Sequence, residues 1–184
     1  MFFKKDTTTS HSGYQPDHRD KVVAIDSVPQ SSIGAPIPLV ISDENTLLLA
    51  YCLEGTEPLD GQEVRVVGPS TEGECIALVK FERFQIYSFG SPNDEAFSGH
   101  PLAERGLKAY GCYEIKNSSW VRNLEKLNRV HPNHSKSLFD DLKHYIFSFH
   151  DTTLEIVCTG FDYSIMSGNM RTASKKMLTM MDWE

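Results

Sequence analysis

Residues 142–161, LKHYIFSFHDTTLEIVCTGF, place two apolar runs on either side of His150-Asp151-Thr152-Thr153 and read as a β-hairpin. A loop of two residues or of four sets Phe149 opposite Leu154, so Tyr145, Phe147 and Phe149 share a face with Leu154, Ile156 and Cys158. A three-residue loop would set His150, Ser148 and His144 against those same apolar side chains. Because side chains alternate with period two, that would be a burial error along the whole strand, and the even loop is expected. The second face then carries His144, Ser148, His150 and Glu155 among Ile146, Val157, Thr153 and Thr159. One face belongs to a core and the other is furnished with polar chemistry.

Strand signals recur outward from this hairpin. KVVAID (21–26) is β-branched, and 39–41 with 47–53 enclose the turn-forming SDENT as a second hairpin. EVRVVG (63–68) and YGCYEI (110–115) also read as strands. In CIALVKFERFQIYSF (75–89) the apolar parity changes near Glu82-Arg83, which predicts a β-bulge.

Helical signals are fewer. Trp120, Leu124 and Leu127 recur at helical spacing, with Ser118 or Ser119 as N-cap, His131-Pro132 as the stop, and Glu125 and Arg129 as an outer pair. A short helix through Leu138 and Leu142 leads into the main hairpin. Met170, Met177 and Met181 can line one side of a terminal helix, with Lys175-Lys176 facing water. The pattern predicts a β-rich α+β fold: a mostly antiparallel sheet, as a sandwich or partly open barrel, with one or two short helices packed on it. Residues 1–20 read as a flexible arm, 21–163 as a single globular domain, and 164–184 as a Met-rich tail or short helix.

Composition narrows the function. The 184-residue chain has 40% hydrophobic residues and a net charge of -7. No apolar run approaches the roughly 18 residues of a membrane span, and the acidic balance opposes phosphate-backbone binding, so membrane and nucleic acid are not expected partners. The four cysteines form no C-x-x-C pair and read as reduced core thiols. The N-terminus lacks the apolar centre of a secretory signal, which gives a cytoplasmic expectation.

Two segments concentrate reactive side chains. FGSPNDEAFSGHPLAERG (89–106) is a long loop holding Asn93, Asp94, Glu95 and His100, and loops of this length are commonly functional. His131 and His134 flank Pro132-Asn133 ahead of His144 and His150 in the hairpin. Imidazoles beside carboxylates suit acid/base work or a divalent metal. H-E-x-x-H is absent, and His144 and His150 lie about 20 Å apart along a strand, so they cannot share one ion. A divalent metal would need one of them together with Glu155, His134, His100 or Glu95. The simpler alternative has His150-Asp151 forming the turn and His144 bonding a backbone carbonyl. Ser148 lacks a nucleophile elbow, and no glycine-rich phosphate loop indicates a nucleotide cofactor.

These features point to a soluble small-molecule-binding protein whose pocket lies between the 89–106 loop and the polar hairpin face. If it is an enzyme of small organic substrates, Asp94, Glu95, His100 and His150 supply catalytic groups, while Asn93, His144, Ser148 and Glu155 bind the ligand. The loop is expected over the turn, with His100 nearer His150 than His144. The alternative is a noncatalytic interaction module using a sheet edge or the Met-rich tail, and a homo-oligomer is compatible with either.

Overall fold

The main hairpin takes its place in one of two antiparallel sheets, seen in a computed structural model that describes residues 15–55 and 66–181. Along the chain the strands are β1 (Lys21–Ala24), β2 (Leu39–Ser42), β3 (Leu47–Cys52), β4 (Glu74–Glu82), β5 (Ile86–Gly90), β6 (Gly111–Lys116), β7 (Lys143–Ser148), β8 (Thr153–Cys158) and β9 (Gly160–Gly168). Helix α1 (Ser119–Asn128) joins β6 to β7, and α2 (Met170–Thr179) follows β9. The larger sheet has the order β1-β6-β7-β8-β5 and the smaller β2-β3-β4-β9. The fold is the expected β-rich α+β, with two stacked sheets rather than a closed barrel.

The hairpin β7–β8 keeps the predicted parity but slides by two residues. Phe147, not Phe149, faces Leu154, and Ser148 faces Thr153. Phe149 N donates to Thr152 O at 2.8 Å, leaving His150-Asp151 as the turn. A slide of two preserves every face assignment. Tyr145, Phe147, Phe149, Leu154, Ile156 and Cys158 all enter the core between the sheets, against Leu49, Tyr51 and Phe81.

The outer faces are covered too. Leu48, Ala50, Ile76 and Leu78 on the smaller sheet receive Met170, Ala173 and Met177 of α2. With layers on both sides, β3 is buried at every position, which is why its sequence is the unbroken apolar run LLLAYC. Behind the larger sheet, Phe97, Leu102 and Leu107 pack on Tyr113, Ile115 and Ile146, while Trp120 packs on Val157. The face expected to be open and polar is therefore roofed by the 89–106 loop and α1.

Three further readings change. Instead of a bulge near Glu82-Arg83, the chain crosses from the smaller sheet to the larger one, turning at Arg83 with φ of 43°. The parity change is the change of sheet. In α1, Ser118 is the N-cap, accepting from Trp120 N at 3.1 Å, but only the first half of the helix packs on the sheet. Leu127 is 63% exposed, and Glu125, read as outward, is buried against Arg129 and His134. Finally, the boundary read at residues 163/164 falls inside β9, and Asp20, assigned to the arm, is buried. Of the strand read at 63–68, residues 63–65 lie outside the described residues and 66–68 are not in a strand.

Candidate functional site

Five of the eight residues singled out in the sequence form two networks, one sealed and one open. In the sealed network, Glu155 of β8 lies between His100 and His144. Its Oε1 is 3.3 Å from His100 Nε2, and its Oε2 is 3.2 Å from His144 Nε2. All three residues are at most 5% exposed. Hydrogen-bond logic fixes the tautomers. Leu102 N donates to His100 Nδ1 at 3.1 Å, so that nitrogen offers a lone pair and Nε2 carries the proton. Ser118 Oγ accepts from Trp120 N and Val121 N, leaving its own hydrogen for His144 Nδ1 at 3.0 Å. His144 Nε2–H then faces the carboxylate as well. Burial pushes the Glu155 carboxyl up, but the two imidazole hydrogen bonds outweigh it and bring the group down to about 2.

Ser118, His144 and Glu155 have the residue types of a hydrolytic triad without its working parts. Ser118 is 4% exposed as a residue, and its hydroxyl already caps α1. The helix N–H groups that would stabilise an oxyanion point at Ser118 itself or at Asp20. This network locks loop, hairpin and α1 together.

The open network sits at the turn. His150 Nδ1 lies 3.0 Å from Asp94 Oδ2 and 3.2 Å from the Tyr110 hydroxyl, which also donates to Asp94. Asp94 N anchors the turn through His150 O at 2.8 Å. The Tyr110 hydrogen bond, with a further contribution from His150, holds the Asp94 carboxyl below its ordinary value despite partial desolvation; the same carboxylate pushes the Tyr110 hydroxyl up to about 12. With Nδ1–H directed at Asp94, His150 Nε2 carries the lone pair and has no hydrogen-bond partner among the described residues, on a side chain 41% exposed. That is the arrangement of an oriented general base.

The loop does cross the hairpin as expected, but His100 goes to the His144 side, where both share Glu155, rather than to His150. The remaining candidates are structural or peripheral. Asn93 Oδ1 accepts from Ala96 N at 3.1 Å, and Glu95 is exposed. Ser148 does not meet Glu155; its hydroxyl lies 2.9 Å from Lys108 O and accepts from Gly111 N at 3.0 Å. Among the described residues, no group of three His, Cys, Asp or Glu side chains is placed to hold a metal ion.

The space expected between loop and hairpin is filled, and a cleft opens elsewhere. About 510 Å³ in volume, it runs between residues 24–31 and the β6–β7 end of the larger sheet, with Tyr51, Phe147, Phe149 and Tyr110 in its lining. Tyr110 is common to this cleft and to the His150–Asp94 pair, and it is held at φ of 60°, unusual for a bulky residue. Gly111 beside it is required by close approach, since a Cβ there would stand 2.8 Å from the Tyr113 ring. Ser31, also lining the cleft, is 5% exposed, and its hydroxyl has no hydrogen-bond partner among the described residues. Tyr110 and Ser31 were not legible as site residues, because neither sits in a motif; the Tyr-Gly pair before a strand was the only local signal. Comparison with protein-family models, curated proteins and solved structures gives no significant match, so the site rests on its own geometry.

Proposed function

We propose that the protein binds a small organic molecule in the cleft beside Tyr110, with His150 and Asp94 at its rim. The observation that carries this reading is the buried Ser31 hydroxyl, without a hydrogen-bond partner among the described residues, in a lining that also carries the rings of Tyr51, Tyr110, Phe147 and Phe149. A buried hydroxyl without a partner is costly, and a ligand bearing one polar group on an apolar body would satisfy it while filling the cleft. A substrate proton presented at the rim would meet the Nε2 lone pair of His150, so an acid/base reaction on a small organic substrate is the enzymatic form of the proposal. The four free cysteines fit a reducing compartment such as the cytoplasm.

A melting screen against small aromatic and heteroaromatic acids, alcohols and amides tests this. Ser31→Ala removes an unsatisfied group, so it should leave the ligand-free Tm unchanged or raise it while weakening the ligand response about tenfold, equivalent to the loss of roughly 1.4 kcal/mol in binding. Tyr110→Phe should also weaken it. A Ser31→Ala variant that melts lower and responds to ligands like the wild type contradicts the reading.

The alternative of an interaction module is favoured by a separate observation. β9 ends the smaller sheet, and its Tyr163 and Ile165 are 42% and 53% exposed. Long exposed edges invite strand pairing. Self-association that Ile165→Lys abolishes would support that reading.

A further inference from the structure

A second cleft, of about 630 Å³, lies at the far end of the larger sheet, where the start of β1, the end of β6 and the N-terminus of α1 meet. In its lining are Arg19, Lys21, Lys116, Arg122 and Lys143, with Glu114 and Asp140 as the lining carboxylates among the described residues. That is five cations against two anions in a chain of net charge -7. The local sign therefore opposes the global one.

The strand register sharpens the observation. Lys21 is paired directly with Lys116 across β1 and β6. On the other side of β6, Ile115 faces His144, and one register step further sets Lys116 level with Lys143. Three lysines thus stand in a row across three adjacent strands, about 10 Å from end to end. Like charges directly opposed on neighbouring strands repel. Some compensation exists: Lys116 reaches Glu114 at 2.6 Å, and Asp17 pairs with both Arg19 and Arg122 at 2.7 Å. Lys21 and Lys143 have no ion-pair partner among the described residues, and both are exposed.

We infer that this cleft is a binding site for a compact multivalent oxyanion, of the di- or triphosphate class. A row this wide spans more than one phosphate group, and an anion with several charged groups would bridge the lysines and remove their mutual repulsion. At about 630 Å³ the cleft is of small-ligand size. It is separate from the Tyr110 cleft, with which it shares no lining residue.

The test is the thermal melting of the full chain at constant ionic strength, with sodium triphosphate, sodium phosphate or sodium chloride. Triphosphate should raise Tm at a concentration at least about tenfold lower than phosphate, beyond the chloride control, as binding to the native state requires. Lys21→Gln and Lys143→Gln should each raise the ligand-free Tm, by relieving repulsion, and weaken the triphosphate response about fivefold or more. Lys175→Gln, on exposed α2 surface, serves as the control and should leave the triphosphate response unchanged. Three results would overturn the inference: no triphosphate effect beyond chloride, an equal response in the cleft variants and the wild type, or a response to a single-stranded oligonucleotide with none to triphosphate.

Discussion

Glu155 is a buried carboxylate held by two imidazoles from different parts of the chain, and its cost and its benefit are both large. Its group titrates at about 2 rather than the ordinary 4.5. A depressed carboxyl stabilises the fold fully above its unfolded value and loses that contribution as pH falls through the folded one. The expected loss is roughly 3 kcal/mol between about pH 5 and pH 1. Glu155→Gln keeps the shape but turns an NH2 group toward a donating imidazole, leaving a buried donor unsatisfied at a cost of about 1–3 kcal/mol near neutral pH. Urea unfolding at pH 7 and pH 3 checks both statements. The variant should start less stable and lose less on acidification, and parallel losses in the two proteins would show that Glu155 is not the ionised group.

At the level of the hairpin, what the sequence could reveal was parity. Period-two alternation assigned Tyr145, Phe147 and Phe149 to the inner core, and they lie there. The two-residue slide was beyond reach, because the turn is fixed by Asp94 N bonding His150 O from a distant loop. The same limit explains the bulge read at Glu82-Arg83: a local parity change does not distinguish a kink within one sheet from a passage between two. Phe147→Ala should cost about 3–5 kcal/mol through a cavity against Phe81 and Phe161. Ser148→Ala should cost less, about 1–2 kcal/mol, since it loses the hydroxyl bonds to Lys108 and Gly111 but leaves no large void. Equal losses in denaturant melts would count against the core-face assignment.

Over the whole molecule, stacking two sheets and roofing both outer faces decides which groups water reaches. Cys52, Cys112 and Cys158 are buried, whereas Cys75, expected among the core thiols, is exposed. Burial pushes the Cys158 thiol up to about 12 and the Cys112 thiol up as well, so little thiolate is available. A thiol reagent should label one cysteine rapidly in the native protein and the other three only on unfolding; two or more fast sites would contradict the layering. The same roofing explains why the site was half legible. His100, His144, His150, Asp94 and Glu155 were recognisable as reactive types, but their division into a sealed group and an open one depends on where the loop and α1 settle, which no local pattern encodes. That division underlies the functional reading, and a long-range nitrogen-15 spectrum of the imidazoles tests it most directly. The account predicts fixed Nε2–H tautomers for His100 and His144 and an Nδ1–H tautomer for His150, with only the His150 signal moving when a cleft ligand is added. Averaged tautomers at His100 and His144, or an Nε2–H tautomer at His150, would contradict it.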